Sequence, residues 1–310
     1  MTLFSAIKIA TTFQCSMSAI VLISEKTDTI GIRQFAEKRF YYDTTFQERP
    51  QLIEMEFLKV AEEAARLAGD VLEQWKEKFT VSEKSRSNLV TEADFAAQEA
   101  IFNYIHEKFP LHNFLGEEDL DQSFSDSGYR WIIDPLDGTS NYVHGFPYYA
   151  VSIALEKDDQ LIVGTIFDPN RNEIFSAVKG CGATLNGQPI KTTSVDDLEQ
   201  AMVLASLPVG VSNKNDPAIE RFVRVLPHVQ TVQRTGSAAL NLCYVAAGRI
   251  EAFWSTNLKP WDMAAGVVIV REAGGQVSQI DGAVFQVAEP DLLSSNGASI
   301  HGQLAQLLVD

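Results

Sequence analysis

The chain has 310 residues, 45% of them hydrophobic and 21% charged, with 41 acidic against 25 basic side chains and a formal net charge of -16. This is the balance of a soluble globular protein, and its acidity argues against nucleic-acid binding through a basic face. Cys15, Cys181 and Cys243 are odd in number and lack metal-ligand spacing, so they read as reduced thiols of a cytoplasmic protein.

From the N-terminus, Leu3 to Ile23 is fairly apolar but carries Lys8, Gln14 and several Ser and Thr residues, which makes a poor membrane span. It fits neither a secretory signal nor a transit peptide. The first helix is expected near Met55, because Phe57, Val60, Ala61, Ala64, Leu67, Val71, Leu72 and Trp75 fall at helical spacing. Residues 1–52 are therefore read as an extension, or as sequence upstream of a true start near Met55. Residues 53–310 are read as one domain with two parts, about 53–194 and 195–310.

Further on, Lys84 is by default a solvated loop charge. Thr91-Glu92-Ala93-Asp94 ahead of an amphipathic run is a capping box, with Thr91 as N-cap and Asp94 at the third helical position. Gly116-Glu117-Glu118-Asp119 is a short acidic segment, in which Asp119 reads as a solvated loop charge. Trp131-Ile132-Ile133 reads as a strand ending at Asp134, where Pro135 forces a turn. Asp134 and Asp137 then converge, and with the Leu136 carbonyl they offer the oxygen ligands that a hard divalent cation prefers. Gly138 permits close backbone approach to a ligand, and Thr139-Ser140-Asn141 is a helix start whose free N–H groups can hold a phosphate. Alone, the string Asp-Pro-Leu-Asp-Gly reads equally well as an ordinary acidic turn. His144, one of five scattered histidines, reads as a packing or loop residue.

Three strands follow, Tyr149 to Leu155, Leu161 to Phe167 and Glu173 to Val178, forming an antiparallel meander. Beyond Asn186-Gly187 the pattern gives a strand at Met202 to Ala205 and a helix at Ala218 to Leu226. A strand at Val229 to Gln233, a helix at Ala238 to Ala247 and a strand at Ile250 to Phe253 come next. Ser237 reads as a helix cap. Another helix starts at Trp261-Asp262 and ends at Ala273-Gly274-Gly275, with Trp261 as the packing residue that fixes Asp262.

Four of these segments in order, Asn88-Leu89-Val90-Thr91-Glu92-Ala93-Asp94, Gly116-Glu117-Glu118, Asp134-Pro135-Leu136-Asp137-Gly138-Thr139 and Trp261-Asp262-Met263-Ala264-Ala265, resemble the inositol monophosphatase family of magnesium-dependent, lithium-sensitive phosphatases. The resemblance runs from about Met55 to the C-terminus, and Asn88 departs from the family's usual Asp. It implies an α/β fold layered as an α/β/α/β/α sandwich, with a metal site between the two halves. It also implies two or three Mg2+ ions: Glu117, Asp134 and the Leu136 carbonyl on the first, Asp134, Asp137 and Asp262 on the second, and a third, weaker ion near Glu117. Two ions roughly 3.5–4 Å apart can clamp the attacking and leaving oxygens of an in-line displacement. No Cys or His sits in these motifs, so the nucleophile is expected to be a metal-bound water, which the resemblance has Thr139 and Asp94 orient and deprotonate.

The resemblance further implies that Gly138, Thr139 and Ser140 contact phosphate, that Ala238 lines the substrate pocket, that Glu118 sits behind the ligands, and that Lys84 approaches the metal site from a mobile loop. A homodimer is usual in the family. Inositol-specific members carry a glutamate seven residues before the Trp-Asp aspartate. Here that position is Ser255, with Thr256 and Asn257 as alternative readers of the same hydroxyl. The implied substrate is a small polyol phosphate, inositol 1-phosphate first, with fructose 1,6-bisphosphate, histidinol phosphate and 3′-phosphoadenosine 5′-phosphate as alternatives. A non-catalytic metal- or partner-binding protein of the same fold is the competing class.

Overall fold

The structure, a computed structural model, describes residues 45–85, 88–208, 211, 213, 215–297 and 299–309, apart from the side chains of 45–51, 84, 85 and 88. The chain divides into two compact units, Met1–Ile53 and Glu54–Asp310. Nearly all of the first lies outside the described residues, including Cys15 and the apolar stretch from Leu3 to Ile23. The site belongs to the second.

The elements run α1 (Thr45–Trp75), β1 (Val81–Ser85), β2 (Asn88–Thr91), α2 (Glu92–Lys108), β3 (Asn113–Gly116), β4 (Leu120–Gln122), β5 (Tyr129–Asp137), α3 (Thr139–Val143), β6 (Ala150–Lys157), β7 (Gln160–Asp168), β8 (Glu173–Val178), β9 (Ala183–Leu185) and β10 (Gln188–Pro189). They continue with β11 (Met202–Ser206), α4 (Pro217–Val225), β12 (Thr231–Gln233), α5 (Ala238–Ala246), β13 (Ala252–Ser255), α6 (Pro260–Glu272), β14 (Gln276–Ser278), β15 (Leu292–Ser295) and α7 (Ile300–Val309). Eight strands form one sheet in the order β10-β9-β8-β7-β6-β5-β3-β4, and five form a second in the order β12-β11-β13-β15-β14. The expected meander is present as β6, β7 and β8, each antiparallel to the next.

Strand periodicity generates the layers, because alternate side chains leave opposite faces. On β5, Trp131 and Ile133 face one core with Phe57, Ala61, Ala64 and Leu72 of α1 and Ala97 and Ile101 of α2. Ile132 between them faces a second core with α5 and α6. On β13, Phe253 joins that middle core, while Trp254 turns outward to Val225 of α4 and to Leu304 of α7. Two helices, a sheet, two helices, a sheet and two helices therefore stack as an α/β/α/β/α sandwich. Each fully buried large side chain contributes about 1.5–3 kcal/mol, so Trp131, Trp254 and Phe253, all at most 2% exposed, are major anchors of this stack.

Three details differ from the expectation. α1 begins at Thr45 rather than near Met55, although Leu52 and Ile53 are exposed and burial starts at Phe57. Leu67, expected inside, is 40% exposed, because the buried stripe passes instead through Leu58, Ala65 and Ala68. β5 continues through Pro135 instead of ending at Asp134. Its ladder with β6 is interrupted between Asp134 and Asp137, so the missing proline N–H breaks no bond.

Candidate active site

Parallel pairing of β3 with β5 sets Gly116 opposite Ile133. The next residue, Glu117, donates its N–H to the Ile133 carbonyl at 3.2 Å, so Glu117 is brought beside Asp134. Asp134 is buried, and its Oδ1 accepts the Leu136 N–H at 3.0 Å, an Asx-type turn that bends the chain past Pro135. Asp137 is buried too. Its Oδ2 accepts from the Ser237 hydroxyl and from the Ala239 N–H at 2.7 Å, so the start of α5 is docked onto the β5 loop.

The third carboxylate comes from α6. Pro260 occupies the first turn and Asp262 the N3 position, where its Oδ2 accepts the Lys259 N–H at 2.7 Å. Trp261 is partly buried in the middle core, and its carbonyl accepts the Ser152 hydroxyl of β6 at 3.2 Å, which fixes the helix start on the large sheet. Carboxylate oxygens of Asp134, Asp137 and Asp262 consequently lie within 4.8 Å of one another.

Burial is the main reason the Asp134 carboxyl is held well above the usual carboxylate range, reinforced by the charges of Glu117, Asp137 and Asp262. Asp137 is pushed up to about 6, again chiefly by burial, with the Ser237 and Ala239 hydrogen bonds pulling it down. Asp262 rises to about 8 through burial and the Asp137 charge. Three carboxylates that resist ionising together are the donor set a hard divalent cation relieves. Asp134 commits Oδ1 and Asp262 commits Oδ2 to protein N–H groups, leaving the other oxygen of each for an ion. The residues present fit a bound metal.

Asp94 closes the cap of α2 and also contacts Thr139. Thr91 caps α2 and Asp94 closes the box, its Oδ2 accepting the Thr91 N–H at 2.8 Å and the Thr91 hydroxyl at 2.7 Å. Its other oxygen, Oδ1, lies 3.2 Å from the Thr139 hydroxyl, which is also 3.1 Å from the Leu136 carbonyl. Fully buried, Asp94 is pushed up to about 6 by desolvation, against the pull of the Thr91 bonds. Gly138 sits at φ +98°, and a Cβ there would meet the Tyr148 carbonyl at 3.1 Å, so the tight entry to α3 demands glycine.

Beyond the carboxylates lies a cleft of 780 Å3 walled by Asp137, Ser140, Ala238, Ser255 and Asp262, with Arg234 also facing it. Ser255 is 1% exposed, its Oγ 3.5 Å from the Thr256 carbonyl. Glu118 is buried and Asp119 exposed. The side chain of Lys84 falls outside the described residues; its backbone belongs to β1. Cys181 and Cys243 carry thiols, and His144 is an exposed residue closing α3.

Sequence reasoning missed the residues that hold the site together. Asn141 donates to the Tyr148 carbonyl at 2.6 Å and the Thr235 carbonyl at 2.8 Å, so it staples α3 to the loop leading into α5. Ser237, read only as a cap, does cap α5 through Leu240 but also binds Asp137. Ser152 and Gln98 had no motif around them. Only the fold reveals their partners, which lie 20 to 109 residues away in sequence.

The layered α/β fold thus brings the carboxylates of Asp134 and Asp137, from the end of β5, and of Asp262, from the start of α6, into one cluster that could hold a metal ion. Residues 54–310 match the Inositol monophosphatase family, and the chain belongs to it. The chain is 38% identical over 254 residues to inositol-1-monophosphatase of Synechocystis sp., covering 81% of this chain and 88% of that one. It is 35% identical over 253 residues to Nus factor SuhB of Salmonella typhimurium, covering 81% and 95%. Among solved structures, the extragenic suppressor protein suhB from Bartonella henselae superposes with a TM-score of 0.79 at 35% identity, covering 82% of this chain and 99% of that one.

Proposed function

We propose that the protein is a magnesium-dependent phosphomonoesterase acting on small polyol phosphates, inositol 1-phosphate among them. The observation that carries this reading is the Thr139–Asp94 contact beside three mutually repelling carboxylates at the mouth of a polar cleft. Metal binding alone would require neither Thr139 nor Asp94. Glu117, Asp134, Asp137, Asp262 and the Leu136 carbonyl would hold the magnesium, which when bound supplies Lewis acidity at the phosphoryl oxygens and lowers the pKa of water.

The residues of the chain supply the proton path. A hydroxyl has one proton, so when Thr139 donates to Asp94 its lone pairs are free to accept from the attacking water. Asp94, with its pKa near 6, is suited to hold that proton near neutral pH. Gly138, Thr139 and Ser140 offer backbone and hydroxyl donors to the phosphate, and Ala238 and Ser255 line the side where the leaving alcohol sits. Phosphate release from a panel of phosphomonoesters, with magnesium and with excess chelator, tests the reading; release unaffected by chelation would sink it.

Ser255 bears on selectivity. A carboxylate reading a substrate hydroxyl is worth roughly 1.5–3 kcal/mol, and a serine here forgoes it. The expected result is turnover of several small phosphomonoesters with no strong preference for inositol 1-phosphate, and at least a tenfold gain in relative preference for it in Ser255→Glu. Measured kcat/KM values across the panel check this. A wild-type preference above about a hundredfold, roughly 2.7 kcal/mol, would show the missing carboxylate to be irrelevant.

The same reading extends to lithium inhibition, a homodimer and a cytoplasmic location. Among the described residues no helix is long and apolar enough to cross a membrane. Residues 1–50 are proposed to be dispensable, since the family match begins at residue 54. A chain lacking them is expected to be soluble and to keep its kcat/KM within about twofold, well under 1 kcal/mol; insoluble or inactive protein would refute this. The competing reading, a partner-binding protein, is favoured by relatives named Nus factor SuhB, and the phosphate-release assay separates the two.

A further inference from the structure

Gln98 lies on α2 one helical turn after Asp94, at the i+4 spacing that puts both side chains on one face. Both are buried. The Gln98 amide is used twice on one residue: its Nε2 donates to the Glu118 carbonyl at 2.8 Å, and its Oε1 accepts the Glu118 N–H at 3.1 Å. A primary amide paired this way imitates a neighbouring strand and fixes the orientation of both peptide groups of Glu118. The turn it closes is Gly116–Asp119, in which the Asp119 N–H also reaches the Glu117 carbonyl at 3.0 Å. Gly116 belongs to the same device. A Cβ at Gly116 would lie 2.5 Å from Gln98 Oε1, so the space that a side chain would fill is occupied by the clamp.

We propose that Gln98 is a positioning residue for the metal centre: by clamping the Gly116–Glu118 turn it holds the Glu117 carboxylate in register with Asp134. This rests on the magnesium reading above. The geometry divides α2 into two tasks on one face. Asp94 meets the β5 loop through Thr139, and Gln98 meets the β3 turn that carries Glu117, so the capped first two turns of α2 set the distance between the water-orienting pair and the acidic ligands. The Glu117 N–H is anchored on β5 through Ile133, and the Gln98 clamp holds the following peptide. Partners behind a ligand that fix its orientation commonly control metal affinity by 10–100-fold.

The test measures magnesium binding to the metal-free protein by titration calorimetry, beside steady-state kinetics. Gln98→Met keeps an unbranched chain of similar length and removes both hydrogen bonds. It is expected to weaken magnesium binding about tenfold or more and to raise the magnesium needed for half-maximal activity in parallel, with kcat at saturating magnesium within about threefold of wild type. Gly116→Ala displaces the same amide from the other side and is expected to reproduce the shift, and it decides the matter should Gln98→Met fail to fold. A merely structural role would lower the melting temperature and leave the titration unmoved. Folded variants that bind magnesium within twofold of wild type would therefore overturn the proposal. Wild-type protein that binds no magnesium would sink the metal reading itself and the role of Gln98 with it, and Asp134→Asn serves as the reference for a lost site.

Discussion

Replacing Asp134 or Asp262 by asparagine is expected to lower kcat/KM more than a thousandfold, about 4 kcal/mol of transition-state stabilisation, while the protein stays folded. The two halves of that statement have one cause. In the metal-free protein these carboxylates lie within 4.8 Å of one another, Asp134 buried and Asp262 partly so, and the charges of the cluster oppose ionisation of its members. An amide of the same shape removes a repelling charge, so the melting temperature of metal-free Asp134→Asn should equal or exceed that of wild type. The same charge is what a divalent cation needs, since a neutral amide oxygen is a much weaker ligand for a hard ion. The Leu136 N–H and Lys259 N–H keep an acceptor in the amide oxygen, so neither turn is expected to unravel. Turnover close to wild type by either variant at ordinary magnesium would remove these residues from the metal centre.

How much of this was legible in the sequence follows from the range of each signal. Asp94, Glu117, Asp134, Asp137, Thr139 and Asp262 sit in short segments with local grammar, a cap, a strand end or a helix start, and the structure brings them to one place. The meander was legible because β6, β7 and β8 pair with their sequence neighbours across short turns. Of the small sheet, β11, β12 and β13 were legible as strands, but their pairing and the strands β14 and β15 were not. Its central strand β13 pairs parallel with β11 and antiparallel with β15, partners about 40 to 50 residues distant on either side. β15 has only four residues, two of them serines, too few to show a period. α7, which covers the outer face of that sheet, follows it without any cap signal that pattern reasoning picked out. Leu67 was misplaced for a related reason: at a helix's edge one residue of phase decides between core and solvent. Gln98, Asn141 and Ser152 are polar residues in ordinary helix and strand positions, and what makes each of them structural is an acceptor elsewhere in the chain.

Removal of the metal should make stability fall as pH rises, the opposite of the usual behaviour of paired carboxylates. Asp94 is pushed up to about 6 and Asp262 to about 8, with Asp134 and Asp137 also raised, against an unfolded value near 3.8. Below that unfolded value all four are protonated in both states and contribute nothing to the balance. Between about pH 4 and pH 8 the folded protein binds more protons than the unfolded chain, so its stability declines with pH through this window. Asp94 alone, raised to about 6 from an unfolded value near 3.8, accounts for about 3 kcal/mol. Magnesium removes the penalty by supplying the missing positive charge, and it must displace the extra protons to do so. The expected result is a metal-free melting temperature that is lower at pH 8 than at pH 5, and a magnesium-induced rise that is larger at pH 8. Proton release on magnesium binding near pH 6 should show as a buffer-dependent heat in calorimetry. The chain's overall negative charge pushes stability the same way, so Asp134→Asn is the control, and it should flatten the metal-free slope. A metal-free melting temperature that rises from pH 5 to pH 8, or a slope unchanged in Asp134→Asn, would mean that the four aspartates do not share their charge in the way their burial and spacing require.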